Sequence, residues 1–94
     1  MLSKIPIQIE GMEKEELDKE ILRAGIIAEL DAVNLYEQMA AVAGKDKIKK
    51  ILSEIAREEK THMGEFQTLL LQLDKEQEKE LEEGKKEVAE LLKN

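Results

Sequence analysis

Cysteine and tryptophan are absent from this 94-residue chain. Without cysteine there is no disulfide framework, no thiolate zinc site and no thiol nucleophile. Aromatic residues are limited to Tyr36 and Phe66, so aliphatic helix packing must supply the core. No apolar run approaches the roughly 20 residues needed to span a bilayer. The opening residues, Met1-Leu2-Ser3-Lys4-Ile5-Pro6, lack the apolar stretch of a secretory signal. The expectation is a soluble, cytoplasmic protein with no membrane partner. An excess of positive charge is missing too. The 22 acidic residues outnumber 15 basic ones for a net charge of −7, which argues against nucleic acid and suits cations.

What the chain does have is helical sequence, enough for one small domain with a marginal core. Residues 1–12 hold the only proline and the only alternating stretch, Ile5-Pro6-Ile7-Gln8-Ile9, and are expected to form an extended N-terminal arm. Residues 13–94 are expected to form a helical hairpin domain with a C-terminal helix. From Glu13 to Ala43 only Gly25 interrupts helix-forming sequence, and acidic residues crowd its first turns, as a helix start favours. Gly44 is expected to end this helix in the left-handed conformation that glycine takes readily. A second helix is expected from about Lys45 to Leu73. Asp74 can cap a third, rich in Glu and Lys and weakened at Gly84. The fold class is all-α, an antiparallel two-helix hairpin plus a short C-terminal helix.

Each long helix carries a stripe that steps by four and three. Leu22, Ile26, Glu29, Val33, Tyr36, Ala40 and Ala43 form the first, and Ile48, Leu52, Ile55, Glu59, His62, Phe66, Leu69 and Leu73 the second. This is the period of a continuous buried seam. The charged or ionisable interruptions are Glu29, Glu59 and His62, the only histidine in the chain. Such groups on a core stripe cost several kcal/mol unless something neutralises them. Glu59 and His62 are three residues apart and so share a helix face. Gly44 lies fifteen positions from both Glu29 and Glu59, so in a hairpin turning there each carboxylate sits roughly 22 Å from the turn.

One imidazole with several carboxylates is a hard, oxygen-rich ligand set, better matched to iron or manganese than to structural zinc. Di-iron carboxylate bundles take a Glu from each of two helices and a Glu-x-x-His from each of two others. This chain supplies one of each. A two-fold dimer would complete both the ligand set and a four-helix bundle. Bland readings stand beside this one. Glu is so common here that a Glu-x-x-His match arises by chance, and Glu29 can be half of a buried ion pair. Tyr36 is either core with a satisfied hydroxyl or a hydrogen-bond partner of a ligand carboxylate.

Ala28-Glu29-Leu30-Asp31-Ala32-Val33-Asn34-Leu35-Tyr36-Glu37, followed by Glu58-Glu59-Lys60-Thr61-His62, resembles the ferritin-like superfamily, and more closely the encapsulated ferritins with two long helices per chain. The resemblance covers roughly residues 13–92. It implies a ferroxidase that oxidises Fe²⁺ to Fe³⁺ at a di-iron site shared between two chains, for iron storage. By that resemblance Glu29, Glu59 and His62 are the metal ligands and catalytic residues, Glu59 bridging, with Tyr36 as supporting group. Calcium or zinc can take iron's place in crystals. The expected assembly is a homodimer built into a larger ring, a decamer, inside an encapsulin nanocompartment. Asp31 falls where the family has an acidic residue of an outer metal-attraction site, but the second acid of that site falls at Ala28. Asp31 is therefore either that ligand or an ordinary interface group. The family's C-terminal shell-targeting peptide is not visible, so the domain is expected to be trimmed or joined to its shell protein.

Two rivals remain at this point. One is a rubrerythrin-like peroxide reductase, which needs an electron-donating iron site that no cysteine here can hold. The other is a non-catalytic metal-binding assembly module. Glu37, Glu58 and Glu65 flank the seam as solvated groups, and Met12, Met39 and Met63 are expected to pack. Leu81, Val88, Leu91 and Leu92 form a thin stripe for assembly contacts. Asp31 lies on a different stripe of the first helix, with Leu17, Ile21, Ala24, Ala28 and Leu35. From Ala24 to Ala43 that helix is apolar on more than one side, which exceeds what one hairpin partner covers and argues for assembly beyond the dimer.

Overall fold

A computed structural model describes residues 13–93. Three helices follow one another: α1 (Lys14–Val42), α2 (Asp46–Leu73) and α3 (Lys75–Leu91). The expected arm over residues 1–12 lies outside the described residues. No described helix is long and apolar enough to cross a membrane.

α1 and α2 pack against each other as an antiparallel hairpin. With 29 and 28 residues, each runs for roughly 43 Å. α1 begins with Glu15 and Glu16 in its first turn, where carboxylates favour the helix dipole. It does not end in a left-handed glycine. Ala43 leaves the helix in an extended conformation (φ −63°, ψ 142°) and its N–H donates to the Met39 carbonyl. Gly44 has no positive φ, and a Cβ placed on it would meet nothing within 4 Å, so the turn requires neither its conformational freedom nor its small size.

The buried centre of the hairpin is small: Ala32, Val33, Ala56 and Leu70. Only part of the expected seam closes. Ile48, Leu69 and Leu73 of the α2 stripe are exposed, while Ala56, outside that stripe, is the most buried residue. The period identifies an apolar stripe but not which of its edges meets the neighbouring helix. Small residues hold part of this contact: Ala32 and Ala56 are buried, and Gly25 lies against the Phe66 ring. Ile48, His62 and Leu69 of the α2 stripe are exposed on the open side, and Ile55 is half-buried.

α3 follows after a single residue. Asp74 (φ −123°, ψ 88°) ends α2 and caps α3, its Oδ1 accepting the Gln77 N–H at 3.0 Å. Its Oδ2 accepts from Arg23 Nη2 of α1 at 2.8 Å. α3 packs on α2 near this elbow and makes no backbone contact with α1. The molecule is flat and angular, 48 × 47 × 17 Å, with α3 projecting from the hairpin.

Candidate metal centre

α1 delivers Glu29 and α2 delivers Glu59 and His62 to one place, about halfway along the hairpin. The imidazole Nδ1 lies 3.6 Å from Glu29 Oε2 and 3.6 Å from Glu59 Oε2. One ligand-type atom from each of the three residues lies within 4.8 Å of the other two. Atoms bound at about 2.1 Å to a common ion are roughly 3 to 4 Å apart. The three side chains therefore need little movement to share a cation.

Burial is uneven. The Glu29 and Glu59 side chains are 18% and 19% exposed, and His62 is 46% exposed. The carboxylates sit at the floor and the imidazole at the open rim. Glu29 Oε2 is buried and accepts no hydrogen bond. No lysine or arginine pairs with Glu29 among the described residues, so the bland ion-pair reading is not what the fold builds. A buried carboxylate oxygen lacking a hydrogen bond is costly. A cation held by the three side chains satisfies it, and the oxygen-rich donor set suits a hard divalent ion such as Fe²⁺ or Mn²⁺.

A cavity of about 330 Å³ opens onto the cluster, lined by Glu29, His62, Glu65, Phe66 and Leu69. Glu65 was expected only as a solvated flanking acid. It lies one turn beyond His62 on α2, and that i,i+3 spacing was the sequence signal for its place at the mouth. By contrast, Glu37 is held by Lys60 at 3.3 Å and Glu54 by Arg57 on the same helix.

The remaining singled-out residues are not in the cluster. Tyr36 is half-buried, its hydroxyl makes no hydrogen bond to a described residue, and it does not line the cavity. Asp31 is half-buried two positions beyond Glu29. That spacing turns it to another side of α1, away from Glu29, Glu59 and His62. Met39 and Met63 are half-buried, as packing residues are. Val88, Leu91 and Leu92 are exposed along α3 and its end.

Comparison with known proteins agrees with this architecture. A family model described as Rubrerythrin matches residues 20–94. A curated relative, the ferritin-like-encapsulin shell fusion protein of Pyrococcus furiosus, is 62% identical over 78 residues, which are 83% of this chain and 22% of the relative. The chain thus spans about a fifth of that relative's length. A solved structure, the encapsulated ferritin domain from Pyrococcus furiosus, superposes with a TM-score of 0.84 at 50% identity. The match covers 98% of this chain and 94% of the other.

Proposed function

Since this chain belongs to the rubrerythrin family of ferritin-like domains, we propose that it is a ferroxidase. Its substrate is Fe²⁺, which Glu29, Glu59 and His62 bind. Each ferrous ion gives up one electron and leaves as Fe³⁺ for storage. Dioxygen takes four such electrons with four protons and becomes two waters. The observation that carries the reading is the buried Glu29 oxygen, without a hydrogen bond, facing the only imidazole of the chain across 3.6 Å.

The functional unit in this proposal is a dimer. One chain offers two carboxylates and one imidazole, half the ligand set of a di-iron carboxylate centre. Ile48, Leu69 and Leu73 are exposed on the same α2 stripe as His62, and burying them against a second copy closes the site from water. Glu59 then bridges the two irons, with Glu29 and His62 as terminal ligands. Tyr36 and Asp31 come within reach of this site only through the partner or through a shift on dimerisation. Dimers build a larger ring. By analogy with the relative in which such a domain is fused to an encapsulin shell protein, the site works inside an encapsulin compartment of the cytoplasm.

Stopped-flow mixing of Fe²⁺ with air-saturated protein tests the proposal through the near-ultraviolet absorbance of Fe³⁺. Ferric ion should form faster than in buffer, and His62→Ala should return the rate to that of buffer. Iron that binds without faster oxidation leaves a storage or assembly module instead.

A further inference from the structure

One turn before Glu29 on α1 stands Gly25, and one turn beyond His62 on α2 stands Phe66. In the antiparallel hairpin these two form the rung next to Glu29 and His62. A Cβ placed on Gly25 would lie 3.1 Å from Cδ2 and Cε2 of the Phe66 ring and 3.2 Å from Cδ1. Gly44, Gly64 and Gly84 have nothing within 4 Å of the same position. Of the described glycines, Gly25 alone faces a side chain. Glycine is the poorest helix former after proline, so α1 itself gains nothing from it mid-helix. The reason for it lies across the hairpin.

The Phe66 ring lies between Gly25 and the cavity. On one side is the bare backbone of α1 at Gly25, and on the other is the cavity it lines together with Glu29 and His62. A methyl group on Gly25 would require the ring to yield by a few tenths of an ångström. The ring then moves into the cavity, or α2 moves away from α1. Either displacement changes the 3.6 Å approach of His62 Nδ1 to Glu29.

We propose that Gly25 is a positioning residue for the metal site. Its bare backbone seats the Phe66 ring, and the seated ring holds the helices at the spacing where Glu29 and His62 share one cation. This inference rests on the reading of Glu29, Glu59 and His62 as cation ligands.

The test titrates the whole chain with Co²⁺, whose visible absorption reports both affinity and coordination. G25A should weaken Co²⁺ binding about tenfold, the size of effect that supporting groups of metal sites show. In the F66L background the same substitution should cost less than twofold, because a leucine side chain yields where the ring cannot. A second readout needs no metal. The chain has one histidine and one phenylalanine, so the imidazole proton resonances of His62 are a single resolved set. In metal-free G25A they should shift as the Phe66 ring current moves.

Equal losses in the two backgrounds overturn the inference, as does unchanged affinity in G25A. If F66L binds too weakly for the comparison, His62 resonances that stay in place in G25A overturn it alone. Wild-type protein that takes up no Co²⁺ defeats the metal-site reading itself, and the positioning role with it. Tight wild-type binding that G25A leaves intact defeats only the positioning role.

Discussion

Two carboxylates of this molecule are almost equally shielded and live in opposite circumstances. Asp74, at the elbow between α2 and α3, is 13% exposed and Glu29, midway along α1, is 18% exposed. Both Asp74 oxygens are engaged, one by the Gln77 N–H and one by Arg23. The Glu29 Oε2 is buried with no hydrogen bond, and the cation-capable group facing it is a histidine at 3.6 Å. A carboxylate placed for the fold is given donors by the fold. A carboxylate placed for a ligand lacks them until the ligand arrives. The contrast separates a structural joint from a candidate site without reference to sequence similarity.

The sharpest way to break this contrast is Glu29→Leu. Leucine removes a buried group that the metal-free fold does not satisfy. The metal-free protein should therefore become more stable, by about 1 kcal/mol, which is roughly 4–8 °C in melting temperature for a domain of this size. The same variant should lose its response to cations. Wild-type protein should gain about 2.7 kcal/mol when Co²⁺ stands at a hundred times its dissociation constant, and Glu29→Leu should gain nothing. Thermal melts with and without Co²⁺ measure both halves. A variant less stable than wild type without metal would make Glu29 a structural residue like Asp74.

The elbow yields a smaller effect of another kind. The Gln77 N–H, opposed by partial burial and helped by Arg23, holds the Asp74 carboxyl below its ordinary range. A lowered folded value means that Asp74 stabilises the protein above its unfolded value of about 3.9 and ceases to do so as pH falls through the folded value. The helicity of α3 in wild-type protein should therefore decline below about pH 4. Asp74→Ala should lower it at neutral pH, since neither the cap nor the Arg23 partner survives. Asp74→Asn keeps a cap acceptor, so it should retain most of the helicity and lose the acid-dependent part. Circular dichroism follows each, and Co²⁺ affinity should be unchanged in both variants. A cation-binding loss in either would mean that elbow and site are coupled.

These two regions were not equally legible in the sequence. The elbow was plain, because an Asp before a Glu-rich helix is a local signal and capping is local chemistry. The pairing of Glu29 with Glu59 and His62 was legible from spacing, since two positions equidistant from a hairpin turn meet at one height. The turn was placed correctly, but its conformation was not. Gly44 could end α1 in several ways, and Ala43 already turns the chain in an extended conformation. Burial was read least well. Counting apolar positions put Leu69 and Leu73 in the core, yet both are exposed, while the small residues Ala32 and Ala56 are buried. Gly25 itself read as a mere interruption. Its contact with Phe66 joins residues far apart in sequence, and no local pattern announces it.

The smallest effect belongs to a third carboxylate, and it completes the ordering. Glu54 pairs with Arg57 one turn away on α2, where both side chains are well exposed. The Arg57 side chain lowers the Glu54 carboxyl from its usual value, and Glu54 raises Arg57 in return. The sign is the same as at Asp74: any stabilisation is present near neutrality and is lost in acid. Its size differs because water competes for both partners and mobile ions screen them. The partner also lies on the same helix, so the pair joins nothing that the helix does not already hold. Glu54→Gln should leave the melting temperature at neutral pH unchanged within measurement error, and should leave the acid decline of α3 as it is in wild-type protein. Three carboxylates would then rank by what surrounds them and not by charge. Loss of a carboxylate with a buried oxygen that lacks a donor stabilises the metal-free fold, loss of a shielded carboxylate whose two oxygens each have a donor loosens one helix, and loss of an exposed one does nothing. A fall in stability for Glu54→Gln as large as that for Asp74→Ala would show that burial is not what sets the order, and would remove the ground for singling out Glu29.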